Sequence, residues 1–495
     1  MLYYASAIDH VLASSPLLLS VGTDDETVDQ NGGVTETAAP RTTSLPLAVF
    51  TMCNSSIGAG ALLLTGKVAA VGLIPMLFLL WLNSIISTIS LYLLSEMAFD
   101  LDCGDYFVIG RAVGQRWEYV CMIFPLIYLF STLFFYIDIT YQCIGDFLSF
   151  IGSESFAKGI DISKEYNMVL TSVVAVLVLP LAVMRDMKAL SKVSVVKMAC
   201  MFYIAVMPVV HYHTLVTGIT ANPVVKEMGR DNPSHTYSMT KTFVFNPAVW
   251  VFSNLMFAFN NQFTGVSTVN VLRNPTKSRR VQLVMFSAIF TVLFYTLLSV
   301  YGYIAFGDCS AKVFIYDFGI HGSRTSKSML WYWYTAKLLM GFVLLCTYPL
   351  MLDPMRASIE EMMNKAGVGV SKAVNTIRGI IITITLVVVP ALSVIFCKTL
   401  NIDPENVLNL VCGICGSSLV YVFPSIFYLL LKKKSKLKNA TKFLTVLSYV
   451  LLIAGVLIVI LGTYSNIAAF TKISRTVCPV CSHTHQKHND HPLEA

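Results

Sequence analysis

The chain has 495 residues, 55% of them hydrophobic and only 13% charged, with a formal net charge of +7. A soluble domain carries about 25% charged residues, so this composition excludes a soluble enzyme, a nucleic-acid binder and a secreted disulfide scaffold. The apolar residues fall into eleven blocks, each long enough to cross a hydrocarbon core of about 30 Å as a helix. They predict an all-α polytopic membrane protein whose first partner is the lipid bilayer.

In chain order, residues 1–44 hold six acids against one base, Arg41, and read as a disordered acidic cytoplasmic tail. The start, MLYYASAIDH, lacks the basic n-region of a signal peptide. Transmembrane helices are predicted over 46–66, 71–99, 118–149, 167–184, 190–216, 247–272, 281–306, 329–352, 376–397, 406–431 and 443–464. They group as five helices in 45–216, an external loop over 217–246, five more in 247–431, and a basic inner loop with an eleventh helix in 432–464. Residues 465–495 form a tail containing Cys and His. With the N-terminus inside, twenty Lys and Arg fall on the inner side and thirteen on the outer. The positive-inside rule then places the N-terminus in the cytoplasm and the C-terminus outside or in a lumen. Most cysteines lie in apolar blocks, where thiols behave as small hydrophobes, so no disulfide between loops is expected.

Two predicted spans are interrupted by small and polar residues. The first reads Cys53-Asn54-Ser55-Ser56-Ile57-Gly58-Ala59-Gly60, the sixth Phe259-Asn260-Asn261-Gln262-Phe263-Thr264-Gly265. They open two successive groups of five helices. Unwound backbone is tolerated at membrane depth only where it is buried or lines a cavity. For a single break, close helix packing is the stronger reading, but a pair at corresponding positions points to the binding site of an inverted-repeat transporter.

At these residues the chain resembles the amino acid/auxin permease family, in particular its sodium-coupled neutral amino acid transporter branch. The similarity runs over about 45–465 and is carried by NSSIGAG in the first span, LPLAVMRDMKALSKVS between the fourth and fifth, and FAFNNQFTGVSTVNVLRNPTKSRR in the sixth. YGYIAFGD, YPLMLDPMRASIE and GSSLVYVFPSIFYLL follow in the family's order. The resemblance implies the bacterial leucine-transporter fold, a 5+5 inverted repeat plus one helix. Spans 1, 2, 6 and 7 would form a moving bundle against a scaffold of spans 3, 4, 8 and 9. It also implies amino-acid transport driven by Na+ or H+, with no other cofactor.

The same resemblance implies a coupling-ion site at Asn54, Ile57 and Thr347. Some relatives carry a second hydroxyl where this chain has Leu345; if that residue is the ligand, the sodium set is incomplete here. Gly58, Ala59 and Gly60 would offer N–H groups to a substrate carboxylate, glycine allowing close approach. Phe259, Asn260, Gln262 and Phe263 would complete the substrate site, the two phenylalanines reading equally well as packing aromatics. Gln262 and Asn270 stand where many relatives have ionisable residues, which weakens a proton relay through span 6.

Asp138 lies deep in span 3. Isolating a carboxylate there costs about 2.5–3.5 kcal/mol on insertion scales. Lys337 of span 8 is expected at a similar depth, so the two read as a pair that either shares a coupling proton or fixes scaffold register. Glu96, Lys67 and Lys197 fall near span ends, where snorkelling accounts for them. In the tail, Cys478, Cys481, His483 and His485 have zinc-ligand spacing, set against the reading of a disordered His-rich segment.

Three function classes follow: a secondary transporter, an amino-acid sensor that binds and signals with little net flux, and a membrane-embedded enzyme. The enzyme reading is set aside because His211 and His213 have no evident catalytic partner. The sequence leaves the location as plasma membrane or a lysosome- or vacuole-like organelle.

Overall fold

The computed structural model describes residues 41–151, 164–183, 187–221, 245–306, 315, 327–365, 372–400, 402–438 and 441–472. The described chain is helical apart from a single parallel bridge between Thr43 and Leu272. The helices are α1 (Leu45–Ser56), α2 (Leu64–Val71), α3 (Leu73–Leu101), α4 (Tyr106–Val113), α5 (Gln115–Ile151), α6 (Lys164–Val183), α7 (Met187–Ala221), α8 (Phe245–Asn254), α9 (Met256–Phe259), α10 (Gln262–Val271), α11 (Lys277–Phe306), α12 (Lys327–Lys365), α13 (Lys372–Thr399), α14 (Pro404–Val411), α15 (Phe423–Lys433) and α16 (Lys442–Lys472).

Local chemistry sets the boundaries. Helix α1 starts with a proline in its first turn, where the missing N–H costs no hydrogen bond. Gly72, at φ 89°, makes the left-handed corner between α2 and α3 that a side chain would strain. Asp403 caps α14 by accepting from the Glu405 N–H at 3.1 Å.

Seven helices among the described residues are long and apolar enough to cross a membrane, and the bent pair Leu45–Ser56 and Gly60–Val71, at 48°, makes an eighth. Eleven spans are expected from the sequence. The difference lies in α6 and α7, whose apolar stretches are only Met168–Val183 and Val195–Val210, and in the sixth block, broken at Asn260–Asn261.

The helices pack in two groups. Helices α1, α3, α10 and α11 pack on one another, and α5, α6, α12 and α13 form the second set. Helix α7 lies against α12, α11 and α1, bridging the groups. Helix α16 is exposed along one face through Phe443, Val446, Ile453 and Ile460, the signature of a lipid-facing surface.

Between α14 and α15 the chain winds as two π-helical turns, Cys412–Gly416 and Ser418–Val422. Such winding is rare and concentrates at functional sites. Neighbours satisfy two of its carbonyls: the Tyr106 hydroxyl donates to Leu419 at 3.0 Å, and the Ser90 hydroxyl donates to Val420.

Charged pairs close one end of the molecule. Arg280 makes a two-pronged contact with Glu96, 2.9 Å to each carboxylate oxygen, with its guanidinium 3.9 Å from the Phe99 ring. Arg111 reaches Glu118 at 2.5 Å and also Glu361, while Lys365 pairs with Glu118. The segment before α1 is tied to the same end. Thr43 N–H donates to the Val271 carbonyl at 3.1 Å, and Arg273 N–H donates to Thr43 at 2.8 Å.

Candidate functional site

Both interrupted segments break, and they break against each other. Helix α1 stops at Ser56, Ile57 is extended, and a 3-10 turn resumes at Ala59. Helix α9 stops at Phe259, and α10 starts at Gln262 after two non-helical asparagines. The contact is close: a Cβ built on Gly60 would stand 2.6 Å from the Ala258 Cα. Only glycine admits that approach.

Each break leaves backbone carbonyls without their helical partners, and named side chains take them. The Tyr295 hydroxyl of α11 sits 2.6 Å from the Ser56 carbonyl and 2.9 Å from the Ala258 carbonyl. Its single proton is thus shared between the two breaks. The Ser87 hydroxyl of α3 donates to Phe259 at 3.2 Å, and Gln262 approaches Ser87 at 3.5 Å. One turn on, the Ser55 and Thr264 hydroxyls meet at 2.7 Å. The Lys197 ammonium of α7 donates to the Asn54 carbonyl at 2.7 Å.

Several buried polar atoms near the breaks remain without a hydrogen bond among the described residues: Asn54 Oδ1, both polar atoms of the Asn254 side chain and Gln262 Oε1. Buried polar groups are normally paired, so these atoms leave unused hydrogen-bonding capacity beside the breaks. A cavity of about 10 Å³ lies beside them, lined by the polar side chains of Ser56, Ser84, Ser87, Thr88, Asn261 and Thr291 together with apolar neighbours. That is about the size of one water molecule. A larger hollow along Met168, Val173 and Val176 is one exposed apolar helix face, remote from the breaks.

The expected site residues divide. Asn54, Ile57, Gly58, Ala59, Gly60, Phe259, Asn260 and Gln262 lie at the two breaks. Phe259 packs edge-on against Tyr295 at 5.4 Å, and Asn260 lies beside Tyr128. Phe263 turns away to the Tyr106 ring at 5.4 Å. Thr347 is buried, its hydroxyl donating to its own helix at Val343. Among the described residues there is no His, Cys, Asp or Glu group able to hold a metal ion. Cys478, Cys481, His483 and His485 lie outside the described residues.

Two readings of charge need correcting. Asp138 and Lys337 do not pair: Asp138 meets Lys398 of α13 at 3.0 Å, and Lys337 meets Asp146, two turns further along α5. The register of α12 along α5, which no single helix encodes, decides between the two aspartates. Nor do Lys67, Glu96 and Lys197 snorkel, for all three are buried. Lys67 pairs with Glu405 at 3.0 Å and lies 3.9 Å from the Trp250 ring centre, Glu96 holds Arg280, and Lys197 reaches the first break. Sequence reasoning missed Tyr295 and Ser87, which no motif marks. Lys197 did leave a signal, a lone charge inside the apolar run VSVVKMACMF.

The comparisons with known proteins give a family and a fold. The model of the family described as "Transmembrane amino acid transporter protein" matches residues 41–468. The zebrafish (Danio rerio) "Sodium-coupled neutral amino acid symporter 2" is 22% identical over 417 residues, 82% of this chain and 79% of the relative. Among solved structures, a point mutant of the Eremococcus coleocola manganese transporter superposes with a TM-score of 0.56 at 13% identity, over 89% of this chain and 90% of that one. MhsT in complex with L-phenylalanine gives 0.55 at 12% identity, over 84% and 98%. These similarities establish the leucine-transporter-like fold.

Proposed function

The chain belongs to the transmembrane amino acid transporter protein family, and from that premise we propose that it carries amino acids across a membrane by alternating access, driven by a proton or sodium gradient. The observation that carries the reading is the meeting of two broken spans at Gly60 and Ala258, with Tyr295 between them. The N–H groups of Gly58, Ala59 and Gly60 precede the first bond of their turn, from Ala61 to Gly58, and suit a carboxylate at a positive helix end. The C-terminal carbonyls of α1 and α9 suit an ammonium group. An amino acid carries both charges at the spacing of one Cα. The printed names of the zebrafish relative and of the phenylalanine-bound MhsT support the same cargo.

In this reading the chain has eleven spans as two inverted groups of five plus one, with its N-terminus in the cytoplasm. The group of α1, α3, α10 and α11 rocks against the group of α5, α6, α12 and α13. Asp138 supplies a buried carboxylate for a proton-driven cycle, restrained by Lys398 when charged.

Reconstitution in liposomes tests the reading. Uptake of a labelled amino-acid mixture is measured under an inward proton gradient, an inward sodium gradient and no gradient. Concentrative uptake under either gradient is expected. Binding of amino acids with no flux under both would replace transport with sensing.

A further inference from the structure

Three lysines are buried among the described residues: Lys67, Lys197 and Lys337. Lys67 and Lys337 each pair with a carboxylate. Lys197 is different, for its polar partner is the Asn54 carbonyl, and no carboxylate of the described residues pairs with it. The residue is 1% exposed, so water does not solvate the charge either. What faces the ammonium is the C-terminal end of α1, whose carbonyls carry the negative pole of the helix.

That position adjoins the coupling-ion site that the family resemblance implies at Asn54 and Thr347. Asn54 comes from α1. Thr347 comes from α12, which packs against α7, the helix that carries Lys197. A Cβ on Gly58 would stand 3.9 Å from the lysine nitrogen, so the ammonium lies directly beneath the unwound residues. Of the ionisable side chains on the packed helices, Cys53 turns towards the Ser287 carbonyl and Tyr295 towards Ser56 and Ala258, while the thiols of Cys346 and Cys200 are buried on the Lys197 side. A sodium ion would compete with the ammonium for the Asn54 carbonyl and meet a like charge at contact distance. The residues present therefore do not fit sodium.

We infer that the Lys197 ammonium is a tethered substitute for the coupling sodium ion at the first break, which makes this transporter independent of sodium. The inference rests on the transport reading and deepens it. Lys197 is a positioning residue: it neutralises and anchors the end of α1, fixing the carbonyls and N–H groups that meet the substrate. The driving gradient is then one other than sodium.

Two measurements on the full-length protein test it. In detergent, the thermal midpoint is followed as sodium chloride replaces choline chloride at constant ionic strength. In liposomes, uptake is measured with and without a sodium gradient. The wild type should show no sodium shift in either. Lys197→Thr, which removes the charge and leaves an oxygen, should be stabilised by sodium and recover with it. Lys197→Arg, which keeps the charge, should remain indifferent to sodium. Sodium stabilisation or sodium-driven uptake in the wild type would overturn the inference. So would a folded Lys197→Thr or Lys197→Met that loses substrate binding yet stays blind to sodium, because the lysine would then be a substrate contact. Should Lys197→Thr fail to fold, the wild-type sodium titration still decides. Absence of flux under every gradient would remove the transport reading alone, leaving the thermal measurement to judge the cation site.

Discussion

The Tyr295 hydroxyl lies 2.6 Å from the Ser56 carbonyl, and the same oxygen is 2.9 Å from Ala258. One side chain on α11 thereby ties the end of α1 to the end of α9. Its ring packs edge-on against Phe259, so the hydroxyl is held by packing as well as by its partners.

Tyr295→Phe keeps the ring and removes the tie. Two buried carbonyls lose their donor, a cost of about 1–3 kcal/mol. Thermal unfolding in detergent should show the loss, and uptake should fall although every backbone group of the site remains. Unchanged stability and uptake would mean that the breaks are held together by packing alone.

Gly60→Ala would place a methyl group 2.6 Å from the Ala258 Cα. Backbone must move, at a cost of about 1–3 kcal/mol, and substrate binding should be lost with it. Gly341→Ala is the control, since its Cβ would meet nothing closer than 3.6 Å. That variant should be neutral or slightly stabilising, measured by the same thermal and binding assays.

Lys67 and Glu405 join α2 to α14 beneath the Trp250 ring. Removing one partner from a buried pair costs about 3–5 kcal/mol, whereas replacing both with apolar residues is often neutral. Glu405→Gln and Lys67→Met should each lower the thermal midpoint strongly, and Lys67→Met with Glu405→Leu should restore most of it. A double variant as weak as the singles would assign the loss to the Trp250 ring over Lys67 and to the Asn409 amide, which donates to Glu405 at 3.2 Å.

The Asp138–Lys398 pair is asymmetric, with side-chain exposures of 5% and 35%. Lys398→Met strands a buried carboxylate and should cost about 3–5 kcal/mol. Asp138→Asn leaves a lysine that can reach water, and should cost about 1 kcal/mol or less. Thermal midpoints check the order. Uptake by Asp138→Asn then separates roles, since a coupling carboxylate predicts loss of proton-driven uptake in a protein that remains folded.

The two breaks were legible in the sequence because Gly-x-Gly and paired asparagines leave a helix poorly specified wherever they fall. Most spans were legible from apolar length. The partners of charge were not. A sequence shows how deep Lys197 or Lys67 sits along its own helix, and depth near a span end is compatible with snorkelling. Burial depends on which neighbour covers that face, and this is fixed by packing between helices distant in the chain. The exchange of partners among Asp138, Asp146, Lys337 and Lys398 has the same cause, a sliding register of α12 and α13 along α5. Tyr295 was hidden because tyrosine is ordinary in a membrane helix until a stranded carbonyl is found opposite its hydroxyl.

The wide winding of Cys412–Val422 gives the fold slack in length. A residue taken from a regular helix turns all that follows by about 100°. A π turn already holds one residue more than an α turn, so a deletion here would close one wide turn to ordinary winding and leave the facing of α15 nearly unchanged. Phe427 would keep the Tyr106 and Trp117 rings, now 6.3 and 5.6 Å away, and Lys434 would keep the Val113 carbonyl. In this stretch a missing codon closes a turn, whereas a few residues later it would be a rotation.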